Sequence, residues 1–145
     1  MLGKKVILRV RMSTKDAHYA GELVNGAKML DYFGDVATEL AIRLDGDEAL
    51  FRTYEHVDWL APVYAGDFIE YHGWLEKVGK TSHQMCFEAY KVIEPARGKC
   101  VEVSAANVLD PPVLVGRAVG IGITQKHLQR GAQDPAFEGL RKTEG

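Results

Sequence analysis

Alternating apolar and polar positions open the chain. In residues 5–12 the apolar side chains recur every second residue, at Val6, Leu8, Val10 and Met12. The intervening Arg9 and Arg11 point to the opposite side. This two-residue period predicts a β-strand. Residues 13–25 contain turn formers and small side chains, which predict an irregular loop.

The apolar spacing changes to three and four residues in segment 26–44. The positions on the new period are Ala27, Leu30, Gly34, Ala37, Ala41 and Leu44. Such spacing predicts one α-helix of about five turns. Asn25 is expected to cap its start, and Asp45-Gly46 is expected to end it. The predicted buried face is rich in Gly and Ala, which allows other backbone to approach closely.

The chain after the helix has the pattern of β-structure. Pro62 and the pair 66–67 interrupt it, and the tight turn at Gly79-Lys80 predicts a hairpin between its two flanking strands. The prediction is for strands at 49–60, 68–78, 82–93 and 113–124, a loop at 94–112, and a polar, partly disordered tail from Gln125.

The order of one strand, one long helix and four strands predicts an α+β fold. We expect one domain over residues 1–145, with its core at about 4–124 and a polar tail at 125–145. One helix and one sheet cannot cover each other on both sides. A second copy is therefore expected to cover the exposed surface, which predicts a homodimer, assembled further into a tetramer or hexamer.

Composition narrows the class of protein. The chain has 145 residues, of which 46% are hydrophobic and 26% charged, with a formal net charge of −2. These values favour a soluble globular protein without a nucleic-acid or membrane partner. The alternating N-terminus does not resemble a signal-peptide core. Cys86 and Cys100 are not in a CxxC arrangement, so we expect a reducing, cytoplasmic location.

Three motifs together resemble the hot-dog-fold superfamily. They are HYAGELVNGA at 18–27, WLAPVYAGD at 59–67 and VGKTS at 78–82. The resemblance implies a long antiparallel sheet wrapped around one central helix, and an acyl-coenzyme A thioester as substrate.

A narrower resemblance is carried by longer segments. Residues 15–40, 60–82 and 87–93 are similar to the small β-aminoacyl-CoA ammonia lyases, which include the 3-aminobutyryl-CoA lyase of lysine fermentation and the β-alanyl-CoA lyase. The resemblance implies reversible elimination of ammonia from a 3-aminoacyl-CoA to give the 2-enoyl-CoA. It implies acyl-CoA and ammonia as partners, and neither a metal nor an organic cofactor.

Three carboxylates lie four residues apart on the predicted helix, at Asp31, Asp35 and Glu39. One interpretation is a solvated stripe in which Glu39 pairs with Arg43. In a wrapped helix, however, a desolvated carboxylate would have a raised pKa suited to proton transfer. Asp35 is our first choice for the base and Glu39 the second, with Asp31 structural. In the related hydrolases the helix carboxylate falls at the position of Gly34, whereas here it is next to it, at Asp35. Either the alignment is shifted by one residue or the site is rearranged for different chemistry, and this difference weakens the hydrolase interpretation more than the lyase interpretation.

The implied reaction also needs hydrogen-bond donors for the thioester carbonyl oxygen. Backbone N–H groups near Gly26 and Ala27, or in the loop 19–21 that contains Gly21, can supply them. His18 and Tyr19 are candidates for the thioester end of the site. Alternatively, His18 only hydrogen-bonds the loop.

Other charged residues are weaker candidates. Glu88 is a possible substrate contact, and Lys80 is a possible ligand of the coenzyme A phosphates, as are Lys77, Arg97 and Lys99. Surface lysines are more often simply solvated. There is no GxSxG motif, and His56, His72, His83 and His127 lack metal-ligand spacing. Two alternatives to the lyase stay open: a thioesterase, in which the helix carboxylate activates water, and a non-catalytic acyl-CoA-binding protein.

Overall fold

The computed structural model describes residues 1–98 and 101–141. Lys99 and Cys100, named above, lie outside the described residues. The elements in chain order are β1 Leu2–Arg11, β2 Ala17–Tyr19, β3 Leu23–Val24, α1 Ala27–Asp45, β4 Leu50–Trp59, β5 Phe68–Val78, β6 Ser82–Pro95 and β7 Ala106–Ile123. Short 3-10 turns lie at Ala20–Glu22, Lys126–Leu128 and Pro135–Phe137.

The five long strands form one antiparallel sheet in the order β1-β5-β6-β7-β4, and β2 pairs with β3 in a small ribbon. Helix α1 packs on one face of the large sheet, mainly against β5. A side chain on Gly73 of β5 would collide with Val36, so this glycine lets the helix lie close to the sheet. The α+β architecture with a sheet around one helix is the predicted one.

The alternation expected for β6 is confirmed. Met85, Phe87 and Ala89 are buried beneath the helix, while Cys86 and Glu88 lie on the outer face of the sheet. Phe33 of α1 stacks on Phe87 with ring centroids 5.0 Å apart. These contacts place the hydrophobic core between α1 and the centre of the sheet.

The helix differs from the prediction in its cap and its buried face. The capping position is Gly26 rather than Asn25, and no side chain caps the first turn. The face that contacts the sheet carries Met29, Phe33, Val36 and Leu40, together with Ala37, Ala41 and Leu44. Ala27 is exposed, and Leu30 and Gly34 are partly exposed. The larger side chains bury more apolar area and therefore dominate the core, and of the predicted positions only Ala37, Ala41 and Leu44 are buried with them.

Strand β7 is longer than predicted. It begins at Ala106, so Pro111 and Pro112 lie in a strand instead of a loop. Its neighbour β4 ends where Trp59 pairs with Gly116. On the other side of β7, the register with β6 shifts between the pairs Lys91–Val113 and Ile93–Val108, so residues 109–112 lie in a bulge. Both prolines therefore lie outside the regular ladder, where their missing N–H groups are tolerated.

Residues 125–141 contribute to the packed structure, which corrects the expected disorder for this part of the tail and the expected end of the core; the rest of the predicted tail lies outside the described residues. Phe137 is fully buried in the core. The Arg141 Nη2 atom lies 2.6 Å from Asp45 Oδ2 at the end of α1, and both side chains are buried. One aromatic and one arginine in a polar segment give little sequence signal, although they close this end of the core.

Among the described residues, no helix has both the length and the apolar character needed to cross a membrane.

Candidate functional site

Two grooves flank the helix. The helix-start groove has a volume of about 430 Å³ and a largely apolar lining, which includes Val24, Met29, Trp59, Leu60, Pro62 and Val115. Tyr19, Asn25, Gly26 and Lys28 also line it. A concave apolar surface with a few polar groups is the usual form of a small-molecule site.

A buried ion pair holds one wall of the helix-start groove. Lys91 Nζ lies 3.1 Å from Asp67 Oδ2, and their side chains are 8% and 0% exposed. Lys91 also donates to the carbonyl of Pro62 at 2.9 Å, and Asp67 accepts the backbone N–H of Tyr64 at 2.7 Å. Because both partners bond the loop between β4 and β5, they fix the position of that wall.

Arg97, a candidate for coenzyme A phosphates, belongs to the same loop support. Its Nη2 donates to the carbonyl of Ala65 at 3.2 Å, and its guanidinium lies 4.8 Å from the centre of the Tyr64 ring. The structure therefore gives Arg97 an internal structural contact.

The start of α1 is shaped by one glycine and one tryptophan. Trp59 Nε1 donates to the Gly26 carbonyl at 3.0 Å. A Cβ on Gly26 would lie 2.6 Å from the same nitrogen, so no larger residue fits without displacing Trp59. The first N–H groups of an α-helix have no partner within the helix, and they are suited to an oxyanion. The predicted carbonyl site thus lies at the mouth of an apolar groove.

The predicted loop residues lie beside this helix start. Tyr19 lines the helix-start groove with 56% of its surface exposed, and His18 lies against it edge-to-face at 4.9 Å between ring centroids. Gly21 adopts φ 72°, a left-handed conformation that favours glycine, in the turn between β2 and β3. The structure therefore brings Tyr19 and Gly26 to one groove, with His18 next to them.

The acidic groove lies along the open side of α1 and has a volume of about 400 Å³. The carboxylates of Asp31, Asp35 and Glu48 line it, and the small residues Gly34, Ala37 and Ala41 form its floor. Asp31 and Asp35 are exposed in the single chain. Desolvation of Asp35, as expected from the sequence, therefore requires something else to cover this groove.

Glu39 does not line the acidic groove. Its Oε2 atom lies 2.9 Å from Arg43 Nε, and the Glu39 side chain is 48% exposed. This is the solvated i,i+4 pair that was one of the two interpretations of the stripe.

Two residues of the acidic groove carried no signal in the sequence. Tyr54 donates to the carbonyl of Leu30 at 3.2 Å; burial and the Asp31 carboxylate raise the pKa of Tyr54 to about 12. His83 is 1% exposed and its Nδ1 lies 3.1 Å from Arg141 Nη2. Burial and the Arg141 cation lower the pKa of His83 to about 4, so its ring is neutral. Its partner is 58 residues away in the chain, which no local pattern reveals.

The remaining candidates lie apart from both grooves. Lys80 is exposed in the β5–β6 turn, where its carbonyl accepts Gln129 Nε2 at 2.8 Å. Glu88 lies on the outer face of the sheet, paired in register with His72 and Arg117. It therefore faces away from the helix and from both grooves.

Asp35 and the helix start are not close together in one chain. Asp35 follows Gly26 by nine residues, which is about 13 Å along a helix axis at roughly 1.5 Å per residue. In the part of the chain that the structure describes, no three His, Cys, Asp or Glu side chains are grouped to hold a metal ion.

Comparisons with known proteins identify the family. The family model for the thioesterase superfamily matches residues 21–93. The 3-aminobutyryl-CoA ammonia lyase of Acetoanaerobium sticklandii is 52% identical over 126 residues, which cover 87% of this chain and 98% of that protein. The chain belongs to the ammonia lyases of the thioesterase superfamily.

Solved structures agree with this family. The β-alanyl-CoA:ammonia lyase of Clostridium propionicum has a TM-score of 0.93 and 47% identity, covering 97% of this chain and 99% of that one. A hexameric thioesterase from Yersinia pestis, with 16% identity, covers 92% of this chain and 96% of its own at a TM-score of 0.67, which shows the shared fold. The predicted hot-dog fold and the resemblance to ammonia lyases are both confirmed.

Proposed function

We propose that this chain catalyses the reversible elimination of ammonia from a short 3-aminoacyl-CoA to give the 2-enoyl-CoA. The observation that carries the proposal is the match of almost the whole chain to two ammonia lyases, at 52% and 47% identity. The two grooves supply the chemical groups that this reaction needs.

In the proposed mechanism, the helix start and Asp35 act on opposite sides of the thioester. The N–H groups near Gly26 and Ala27 bond the carbonyl oxygen, which becomes enolate-like as the α-proton leaves. Asp35 takes that proton as general base. The 3-amino group reacts as its ammonium: the enolate electrons form the C2–C3 double bond, the electron pair of the C–N bond goes to nitrogen, and neutral ammonia leaves. Asp35 then releases the proton it accepted. Coenzyme A is part of the substrate, and the proposal requires no cofactor.

Both groups can reach one thioester only if two copies contribute. The separation of about 13 Å between Gly26 and Asp35 exceeds the span from a carbonyl oxygen to its α-carbon. In an antiparallel pair of helices, the Asp35 of one copy comes to the helix start of the other. The partner would also cover the acidic groove and remove Asp35 from water. We therefore propose a homodimer with two composite sites.

The two edges of the sheet differ in their ability to pair with a second copy. Edge strand β1 carries Lys4, Lys5, Arg9 and Arg11, and such a basic edge repels its own copy. Edge strand β4 carries charges of both signs, and its two ends, Leu50 and Trp59, are 68% and 55% exposed. Antiparallel pairing of β4 with itself brings the Leu50 end of one copy to the Trp59 end of the other. We propose β4 as the dimer edge.

The proposal extends to the assembly and location of the protein. We propose that the dimers assemble further into a tetramer or hexamer and that the protein is cytoplasmic. Lys80 remains proposed for the coenzyme A phosphates, and its position in an exposed turn leaves it accessible.

The reaction is tested with crotonyl-CoA or acryloyl-CoA and an ammonium salt. Loss of the enoyl-thioester absorbance without release of free thiol indicates amination. Release of thiol indicates a thioesterase instead, and no change with either acyl chain contradicts the proposal. A thiol-trapping reagent, added to a parallel sample, distinguishes the first two outcomes.

The composite site is tested by mixing two inactive variants. Gly26→Val closes the helix start by displacing Trp59, and Asp35→Asn removes the base. After subunit exchange, half of the dimers are mixed, and each mixed dimer has one intact site. We expect roughly a quarter of the wild-type rate to return. No recovery, with exchange confirmed by native mass spectrometry, would place both groups of each site on one chain.

A further inference from the structure

The side chain of Asn25 has an unused hydrogen-bond acceptor. Its Oδ1 atom is buried, and no described residue donates a hydrogen bond to it. An asparagine before a helix usually caps the first turn, but here Gly26 occupies the capping position without any side-chain cap. Buried acceptors in proteins are nearly always paired, so an unpaired one at the edge of a cavity indicates a partner from outside the chain.

The surroundings of Asn25 restrict what that partner can be. It lines the helix-start groove, where most neighbours are apolar. The cation of Lys28, also at this groove, lies 3.5 Å from Asp16 Oδ1 and so has its own partner. The occupant must therefore combine apolar carbon with at least one N–H or O–H donor.

We propose that Asn25 accepts a hydrogen bond from the 3-amino group of the substrate, an inference that rests on the proposed lyase function. Asn25 directly precedes Gly26, whose N–H lies in the predicted carbonyl site. In a 3-aminoacyl thioester, the amino nitrogen is separated from the carbonyl carbon by only two carbon atoms. A ligand whose carbonyl is bound at the helix start thus has its amino group within reach of the preceding side chain.

A carboxamide suits this task for a chemical reason. Its oxygen accepts hydrogen bonds but does not take a proton at neutral pH. It can hold the ammonium of the substrate and the ammonia that leaves, because both retain N–H donors. In the reverse reaction the bond uses a hydrogen of ammonia and leaves its lone pair free to attack the enoyl carbon.

Binding of two unreactive thioethers tests this proposal. S-(3-aminobutyl)-CoA and S-butyl-CoA lack the carbonyl that acidifies the α-proton, so neither is turned over. By titration calorimetry, we expect the wild-type protein to prefer the amino compound at least tenfold, roughly the effect of one hydrogen bond to a charged group. Asn25→Leu should abolish this preference and change the affinity for S-butyl-CoA by less than about threefold.

Asn25→Asp is the matched control, because it keeps an acceptor oxygen of the same size and should retain the preference. Since no internal bond is lost, Asn25→Leu should also keep the wild-type melting temperature. If Asn25→Leu weakens the binding of both thioethers equally, the Asn25 oxygen instead accepts a hydrogen bond from an amide of the pantetheine arm, and the proposal is wrong. The proposal is also overturned if the wild-type protein shows no preference for the amino compound, or if Asn25→Leu greatly lowers the melting temperature. These are binding measurements, and the amination assay tests the lyase function separately. A failure of this proposal can therefore be distinguished from a failure of the proposed lyase function.

Discussion

The two grooves beside the helix differ in how much of each is built by one chain. The helix-start groove has apolar walls, a loop held by the Lys91–Asp67 ion pair and a Trp59–Gly26 hydrogen bond. The acidic groove has exposed carboxylates on a floor of small residues. One chain supplies all the walls described for the helix-start groove, whereas the carboxylates of the acidic groove are open to solvent in one chain.

In the proposed mechanism, the two grooves contribute different kinds of residue to one reaction. Binding a thioester requires rigid, apolar surroundings that a single core can provide. Removal of the α-proton requires a carboxylate that is shielded from water but accessible to the substrate. In the proposed dimer, the second copy would shield from water the Asp35 carboxylate on the open side of the helix.

Removal of the carboxylate at position 35 should have the largest effect. Asp35→Asn keeps size and polarity but cannot accept the α-proton, so the turnover rate should fall roughly 10²–10⁴-fold. The exposed side chain has little structural role in one chain, so the melting temperature should change little. Steady-state amination kinetics and thermal unfolding measure both quantities. Asp31→Asn is the control in the same groove and should leave turnover near normal.

Breaking the ion pair behind the helix-start groove should primarily affect stability. Lys91→Met removes the nearer of the two cations beside buried Asp67 and leaves Arg97 Nη2 at 3.4 Å from Asp67 Oδ1. The free energy of unfolding should therefore fall, but by less than the roughly 3–5 kcal/mol expected for a fully uncompensated buried charge. Because the wall of the groove is tied to this lysine, the KM for the acyl-CoA should also rise. Urea unfolding and substrate titration measure the two effects. Lys5→Met, at an exposed position of β1, is the matched control; equal effects in both variants would contradict the assigned role.

The neutral histidine of the acidic groove should make stability depend on pH. Burial and the Arg141 cation lower the pKa of His83 from 6.5 to about 4, against the opposing effect of Asp45. The unfolded chain therefore binds a proton below pH 6.5 that the folded chain does not. This contribution is fully present above pH 6.5 and is lost as the pH falls toward 4, by up to about 3 kcal/mol.

Urea unfolding at pH 7 and pH 5 measures this loss. In His83→Gln the part of the pH dependence due to this ring should disappear. An unchanged pH dependence in that variant would show that His83 is not the responsible group.

The exposed pair on the helix should matter least. Glu39→Gln removes the contact with Arg43, which should reduce stability by less than about 1 kcal/mol. Since Glu39 does not line the acidic groove, the lyase rate should stay within about twofold of wild type. If Glu39→Gln loses activity while Asp35→Asn retains it, the base is Glu39. If both variants stay active, a helix carboxylate is not the base, and His18 and Tyr19 beside the helix start become the candidates to examine.

The elements were predictable where the local pattern is strong. The alternation in β1 and β6, the long helix and the turn at Gly79-Lys80 are all present in the structure. The prediction failed for the helix face, because periodicity treats small and large apolar residues alike, whereas burial favours Phe33 and Leu40. It also failed for the prolines of β7, which lie in a bulge opposite β6 and beyond the last pair with β4.

By itself, the sequence determined the fold class, the family and the short list of chemical groups. These depend on local periodicity and on motifs that are contiguous in the chain. The tertiary structure decided which candidates share a groove: Tyr19 with Gly26, Asp35 with Tyr54 and His83, and Glu88 with neither groove. It also revealed the unpaired acceptor of Asn25 and the distant partner of His83. Such facts depend on which surfaces meet after folding, and contacts between distant residues leave no period in the sequence.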